Sequence, residues 1–250
     1  MIDCFVHVNK IRKPTIESLE SIIKSDRSGV EVNVSYNGKD FNERLYLKSF
    51  CDFNNLSFSF NDTKTALDHI SLNISKSRHQ FVIFLHDDDM VSVNFFQHYK
   101  ALIKKYSGSY SICCNDTVRI GDRYKINRLV ARDQFLVNKS EILLSYLLNR
   151  HFLAFPAICY RKDVLKKINL CENIFGKYID VYIVLNLIES GLIFSGEKNF
   201  TYRIHDDQDS KDENKSDKKR LRLFLFIELL KSVLKRELYF SFVRVIKKVF

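Results

Sequence analysis

The chain has 250 residues, 46% of them hydrophobic, and a formal net charge of +10. That is enough apolar chain for one full core, so global disorder is excluded. The charge is uneven: residues 211–250 hold twelve Lys/Arg against five Asp/Glu, which leaves the first 210 residues nearly balanced.

The opening Ile2-Asp3-Cys4-Phe5-Val6-His7-Val8 reads as a first strand and not a signal peptide, with no basic leader and no cleavage site. Behind Pro14, which suits a helix start, Ile16, Leu19, Ile22 and Ile23 recur at helical spacing; Thr15 and Ser18 make no capping box. Val30, Val32 and Val34 alternate as a second strand, ended by an Asn37-Gly38 turn. A weak helix covers roughly 40–50, Leu56, Phe58 and Phe60 alternate again, and Asp62 or Thr63 can cap a helix carrying Leu67, Ile70 and Ile74. Residues 81–85 are apolar throughout, the pattern of an inner parallel strand buried on both faces. Phe95, Tyr99, Leu102, Ile103 and Tyr106 share one helical face, and 110–114 is a further strand.

Residues 115–139 read as a polar loop or hairpin over the site that the sheet carries. Ser140 opens a short helix through Ile142, Leu143, Tyr146 and Leu147. Pro156 sets a strand over 152–160 at an edge or breaks it. An amphipathic helix over 178–190, through Val181, Val184, Leu185 and Ile188, is closed by Gly191. Short strands at 192–195 and 199–204 complete the pattern. Four or five such units imply an α/β fold, a mainly parallel twisted sheet flanked by helices. The six cysteines show no CxxC pair, so reduced, mostly buried thiols of a cytosolic protein are expected.

The sharpest chemical feature is Asp87-Asp88-Asp89, directly behind the 81–85 strand. Adjacent carboxylates repel one another in a partly dry site unless a cation neutralises them. In open α/β sheets, ligands gather at the carboxyl ends of strands. A divalent metal held for a phosphate-bearing substrate is one reading, and a solvated acidic turn capping a helix is the other. If strand alternation persists, His86 points away from Asp87 and is a structural residue or one that supports a site residue from behind. Asp206, Asp207 and Asp209 make no calcium loop, because the required Gly and Glu are missing.

In order, the chain shows a first strand ending near Asn9, a second ending at Asn37-Gly38, and a fourth ending in Asp87-Asp88-Asp89. Asp180 in a later helix and the Tyr202-Arg203-Ile204-His205 run, followed by Gln208 and Ser210, extend the series. Together these resemble family-2 glycosyltransferases of the GT-A fold over about residues 1–210, in the flavour of bacterial enzymes that assemble O-antigen, capsule or other surface glycans. The resemblance implies a GT-A catalytic domain over 1–210, a nucleotide-diphosphate-sugar donor, a divalent Mn or Mg ion, and inversion at the anomeric carbon. It implies that Asn9, Asn37, Asp87, Asp88 and Arg203 surround the donor, with Asp87 toward the ribose and Arg203 in a segment closing over the diphosphate. It further implies Asp89 and His205 as metal ligands, and Asp180 as the base that deprotonates the acceptor hydroxyl.

The sequence departs from the family in three places. Tyr36-Asn37-Gly38 stands where an acid usually reads the base, and Ile179 precedes Asp180 where a Glu is common. Ser71-Leu72-Asn73 replaces the usual glycines and Arg-Asn pair. Two rival readings follow. One is a membrane-bound binding module that kept the fold and lost catalysis. The other is a magnesium phosphohydrolase resembling the haloacid dehalogenases, whose acid pair follows the first strand and continues to a Thr, unlike Met90-Val91-Ser92 here.

Residues 211–250 read as a basic amphipathic extension. Lys218-Lys219-Arg220-Leu221-Arg222 leads an apolar run, and Phe240, Phe242, Val243 and Ile246 later lie among Arg244, Lys247 and Lys248. This is the pattern of an interfacial anchor on an anionic membrane. The alternative is packing on the body or on a second copy in a homodimer. No apolar run reaches a membrane span, and no nucleic-acid-reading module appears. The expectation is a cytoplasmic enzyme, peripheral on the inner face of the cell membrane, with a glycan or lipid-linked acceptor.

Overall fold

The computed structural model describes residues 1–120, 123–126, 134–148, 153–170, 178–204 and 216–232. Its first half is four βα steps. Strands β1 (Ile2–Val8), β2 (Val30–Tyr36), β3 (Ser57–Phe60) and β4 (Phe81–His86) are joined by helices α1 (Lys13–Lys24), α2 (Phe41–Phe53) and α3 (Ala66–Lys76). They lie in the order β3-β2-β1-β4, all parallel. The valine alternation explains β2: Val32 and Val34 enter the core. All five apolar residues of β4 are buried, with Phe84 stacked against Phe5 and Phe155.

After β5 (Met90–Val91) and α4 (Phe95–Lys105), the sheet continues from β4 through β9 (Ile158–Arg161), β6 (Ser111–Ile120) and β10 (Leu192–Ile204) to β5. Only β9 in that row is antiparallel to both neighbours, so β6 and β10 run as β1–β4 do. Two further strands, β7 (Arg123–Ile126) and β8 (Gln134–Leu136), pair antiparallel with β6 and β10. Within 115–139 the described residues therefore form the antiparallel β6–β7 pair and the short strand β8. Helices α5 (Lys139–Leu147), α6 (Lys162–Leu165), α7 (Ile179–Glu189) and α8 (216–232) cover this half.

Several local expectations need correction. Thr65, not Asp62 or Thr63, caps α3: its hydroxyl accepts the Asp68 N–H at 3.0 Å. Asn138, not Ser140, caps α5 through its side-chain oxygen. Pro156 sits in a 3-10 turn, Phe155–Ala157, so the strand begins only at Ile158. The two short strands at 192–204 are one, because β6 carries the ladder across register shifts between Ser195 and Phe200. The α7 helix is buried nearly all round, with Ile183, Val184, Leu185 and Leu187 in the core, instead of being amphipathic. It ends before Gly191, whose φ of +96° suits glycine. Cys4, Cys51, Cys113, Cys114 and Cys159 are buried, and Cys171 lies outside the described residues.

Between β1, β2 and α3 lies a buried polar network. The His69 Nε2 is 2.6 Å from the Ser35 hydroxyl, Asn61 donates to the same hydroxyl at 2.6 Å, and the His7 and His69 rings stack at 4.4 Å. Burial holds the His69 pKa down at about 4, from an ordinary value of 6.5. The unfolded chain therefore takes up the His69 proton first as pH falls, and stability contributed by the neutral ring is lost between those two values. Thermal melts from neutral to mildly acidic pH are expected to show a falling midpoint, and His69→Gln is expected to flatten that fall. An equal fall in both proteins would assign it to other groups.

Candidate active site

The strand order reverses at β1, since β2 lies on one side of it and β4 on the other. Such a switch point opens a crevice at the carboxyl edge of the sheet. Registers are level there: His7 pairs with both Ser35 and His86, and Tyr36 with Phe60. The segments after these strands, beginning Asn9, Asn37, Asn61 and Asp87, thus emerge together. Asn9 donates to the Asn37 side chain at 3.3 Å. These two line a cleft of about 680 Å³ whose walls also carry Lys10, Lys39, Lys64, Asp40 and Glu43. A Cβ at Gly38 would come within 2.0 Å of the Asn9 carbonyl oxygen, so only glycine lets the turn close against β1.

Asp87, 7% exposed, is held by the start of α1. The Arg12 guanidinium donates to its Oδ1 at 3.3 Å, and the Thr15 hydroxyl lies 3.3 Å from its Oδ2. Burial nevertheless pushes its pKa up to about 7, against the opposing pull of Arg12. Neither Arg12 nor Thr15 stood out in the sequence, because each is an ordinary residue of a helix start.

Asp89 is 2% exposed. Its Oδ1 accepts the Arg203 backbone N–H at 3.1 Å, a bond made possible by β5 pairing antiparallel with β10 at Phe200 and Thr201. Its Oδ2 is buried and accepts no hydrogen bond among the described residues. Burial first, and then the Asp88 charge, raise its pKa well above the usual carboxylate range. The His86 Nδ1 lies 3.8 Å from that Oδ2. Ligand atoms of His86, Asp88 and Asp89 all fall within 4.8 Å of one another. His86 points away from Asp87 as alternation requires: its ring stacks on Phe155 beside Phe84, while Asp87 turns to Arg12 and Thr15.

A second acid–histidine cluster, Asp3, Glu31 and His79, sits at the opposite end of β1 and shows what a satisfied carboxylate looks like. Asp3 accepts from the Ser77 hydroxyl, from the Arg78 and His79 N–H groups, and from the His79 ring. Burial alone would raise its pKa, but these bonds hold it below the usual value. Asp3 is a structural tie. Asp89, with one oxygen unmet, is not.

Arg203 is 7% exposed and lies against the acid turn. Its guanidinium donates to the Asp88 carbonyl, the Glu17 carboxylate and, at 3.0 Å, the Pro14 carbonyl. It thereby ties β10, the turn and α1 together. Removing it takes the donor from two carbonyls and leaves partly exposed Glu17 only a 4.0 Å pair with Lys13, a loss of about 2 kcal/mol. Urea unfolding of Arg203→Ala is expected to show that loss, with Arg203→Lys recovering only part because one ammonium cannot serve three separated acceptors. Full recovery by Lys would contradict this role.

Asp180 stands in the first turn of α7, with a buried Oδ1 that accepts no hydrogen bond among the described residues. Burial raises its pKa, and the nearby His86 charge pulls the other way. Its own charge in turn helps push up the Tyr146 and Tyr160 hydroxyls. His86 thus lies between the acid turn and Asp180, stacked against Phe155. His205 lies outside the described residues.

No protein-family model and no curated protein sequence matches the chain. Solved structures do. The S. aureus TarS 1–349 structure in complex with UDP-GlcNAc superposes with a TM-score of 0.68 at 16% identity, covering 85% of this chain and 61% of that one. The complex of TarS 1–349 with UDP gives 0.63 at 17% identity, covering 81% and 60%. The longer TarS structure gives 0.59 at 16%, and there the match spans only 36% of that chain. The chain thus spans about three-fifths of the shorter TarS structures and about a third of the longer one. Parallel β1–β4 with a switch point at β1, one antiparallel insertion, helices on both sides and likeness to these structures together give the chain a GT-A-type glycosyltransferase fold.

Proposed function

We propose that this chain is a metal-dependent, inverting glycosyltransferase that moves a sugar from a nucleotide-diphosphate donor to a glycan or lipid-linked acceptor in bacterial surface-polysaccharide synthesis. The observation that carries the reading is the buried, unmet Oδ2 of Asp89 beside His86 and Asp88, at the switch point of a fold shared with a protein solved with UDP-GlcNAc. Two carboxylates and one imidazole suit Mn or Mg, with phosphate oxygens completing the shell. When bound there, the ion would offset the charge that gathers on the leaving diphosphate. His205, next after β10, is proposed as a further ligand.

The other roles belong to the chain itself. Asp87, steadied by Arg12 and Thr15, is placed to meet the ribose, and Asn9 and Asn37 line the cleft for the base. Arg203 keeps Asp88 and Asp89 seated through their backbone and through α1. Asp180 takes the acceptor's proton at its unmet Oδ1 as the acceptor oxygen bonds to the anomeric carbon. The sugar's bond to the diphosphate breaks on the opposite face, which inverts the centre. A UDP-linked donor is favoured by the two nucleotide complexes of the similar protein.

Incubation with UDP-GlcNAc and Mn is expected to release UDP slowly alone and faster with a suitable glycan or lipid-linked acceptor. Tight UDP binding with no turnover of any UDP-sugar would sink the reading in favour of a binding module.

A further inference from the structure

Helix α8 has two apolar faces. One packs on the body: Leu221 and Leu225 are buried in the core, and Phe224 meets Tyr182 of α7. Glu228 accepts from Lys139 at the start of α5, where the Ser140 hydroxyl also meets Ser232. On the opposite side Leu223, Phe226, Ile227 and Leu230 stand 60%, 52%, 41% and 44% exposed. Their spacing of i, i+3, i+4 and i+7 makes a single stripe. Neighbouring α5 adds exposed Leu144 and Leu148, one turn apart. Scattered exposed leucines are ordinary, but a second aligned stripe on a helix already packed by its first has no use in folding.

We infer that this outer face of α8 seats the protein on an anionic lipid bilayer. The charges beside the stripe choose the occupant. Lys219, Arg220, Arg222 and Lys231 are all exposed along it. The helix's acids are Asp217 at its start and Glu228, which is engaged by Lys139 and Lys231. Apolar side chains can enter the acyl boundary while the basic side chains lie along it and reach lipid phosphates. A second copy facing the same stripe across a two-fold axis would instead bring these cations toward their own counterparts. No helix among the described residues is long and apolar enough to cross a membrane, so the geometry is one of lying on the surface. The sequence past 232 continues in the same composition, with Lys235, Arg236, Phe240 and Arg244. The inference is independent of the transferase reading, since a non-catalytic module would dock in the same way.

Flotation of the full chain with phosphatidylcholine vesicles, with and without phosphatidylglycerol, tests it. Binding is expected to be at least about tenfold stronger to the anionic vesicles and to weaken with salt. The Phe226→Ser/Leu230→Ser variant and the Arg220→Glu/Arg222→Glu variant are each expected to lose about tenfold or more. All four positions are exposed, so melting temperature and UDP affinity should match the parent protein. Equal binding to both vesicle types, or binding that neither variant weakens, would overturn the inference. A lipid-free dimer that Phe226→Ser/Leu230→Ser dissociates would overturn it too, giving the stripe to a second copy.

Discussion

Replacing Asp89 with asparagine is expected to make this protein more stable and to abolish the metal-dependent transfer proposed for it. The carboxylate is almost fully buried, one oxygen accepts nothing, and Asp88 and Asp87 add like charge. The amide side chain would keep an acceptor for the Arg203 N–H and remove the buried charge, a change expected to stabilise the apo protein by about 1–2 kcal/mol. The same change removes the hard anionic oxygen that Asp89 is proposed to offer a metal beside His86 and Asp88. Turnover is expected to fall by roughly a thousandfold or more, the scale of losing charge stabilisation at a leaving group. Thermal melts with and without Mn separate the two effects: Mn should raise the midpoint of the parent protein and leave Asp89→Asn unmoved. A variant that is less stable and still responds to Mn would contradict this account of Asp89.

Asp180→Asn is expected to act on a different step. Its carboxylate shares an electrostatic environment with His86 but belongs to neither the acid turn nor the Asn9–Asn37 cleft. Donor affinity should therefore stay within about twofold while kcat falls by about 10²–10⁴, the usual worth of a positioned base. Burial raises the Asp180 pKa, and the base must be ionised to work, so activity should climb with pH to a point above the ordinary carboxylate range. That limb should vanish from the residual activity of the variant. Loss of UDP binding together with turnover would instead place Asp180 in the donor site.

What could be read from the sequence follows from where the information sits. Strands β1 to β4 and the helices between them carry their own periodicity, as in Val30, Val32 and Val34, and that was enough for the parallel half. The β10 strand looked like two because Gly196, Glu197 and Lys198 resemble a turn; its continuity comes from β6, which begins about eighty residues earlier. Asp62, Thr63 and Thr65 all carry capping oxygens, and tertiary placement of α3 chooses among them. The acid turn was legible because three adjacent carboxylates need an explanation. For His86, period two gave the direction away from Asp87, but its approach to Asp89 depends on the turn that follows the strand. The tie from Arg203 to Glu17 joins positions 186 residues apart, and no local pattern announces it. In the tail, the basic amphipathic pattern was visible, but not that α8 would use one stripe for the core and leave the other outward.

The most direct test of the account is calorimetric titration of UDP into the protein with and without Mn, for the parent chain and for Asp89→Asn. The account predicts Mn-dependent UDP binding by the parent protein and its loss in the variant, with both proteins folded. UDP binding that ignores Mn and survives Asp89→Asn, or no UDP binding by well-folded parent protein, would contradict it.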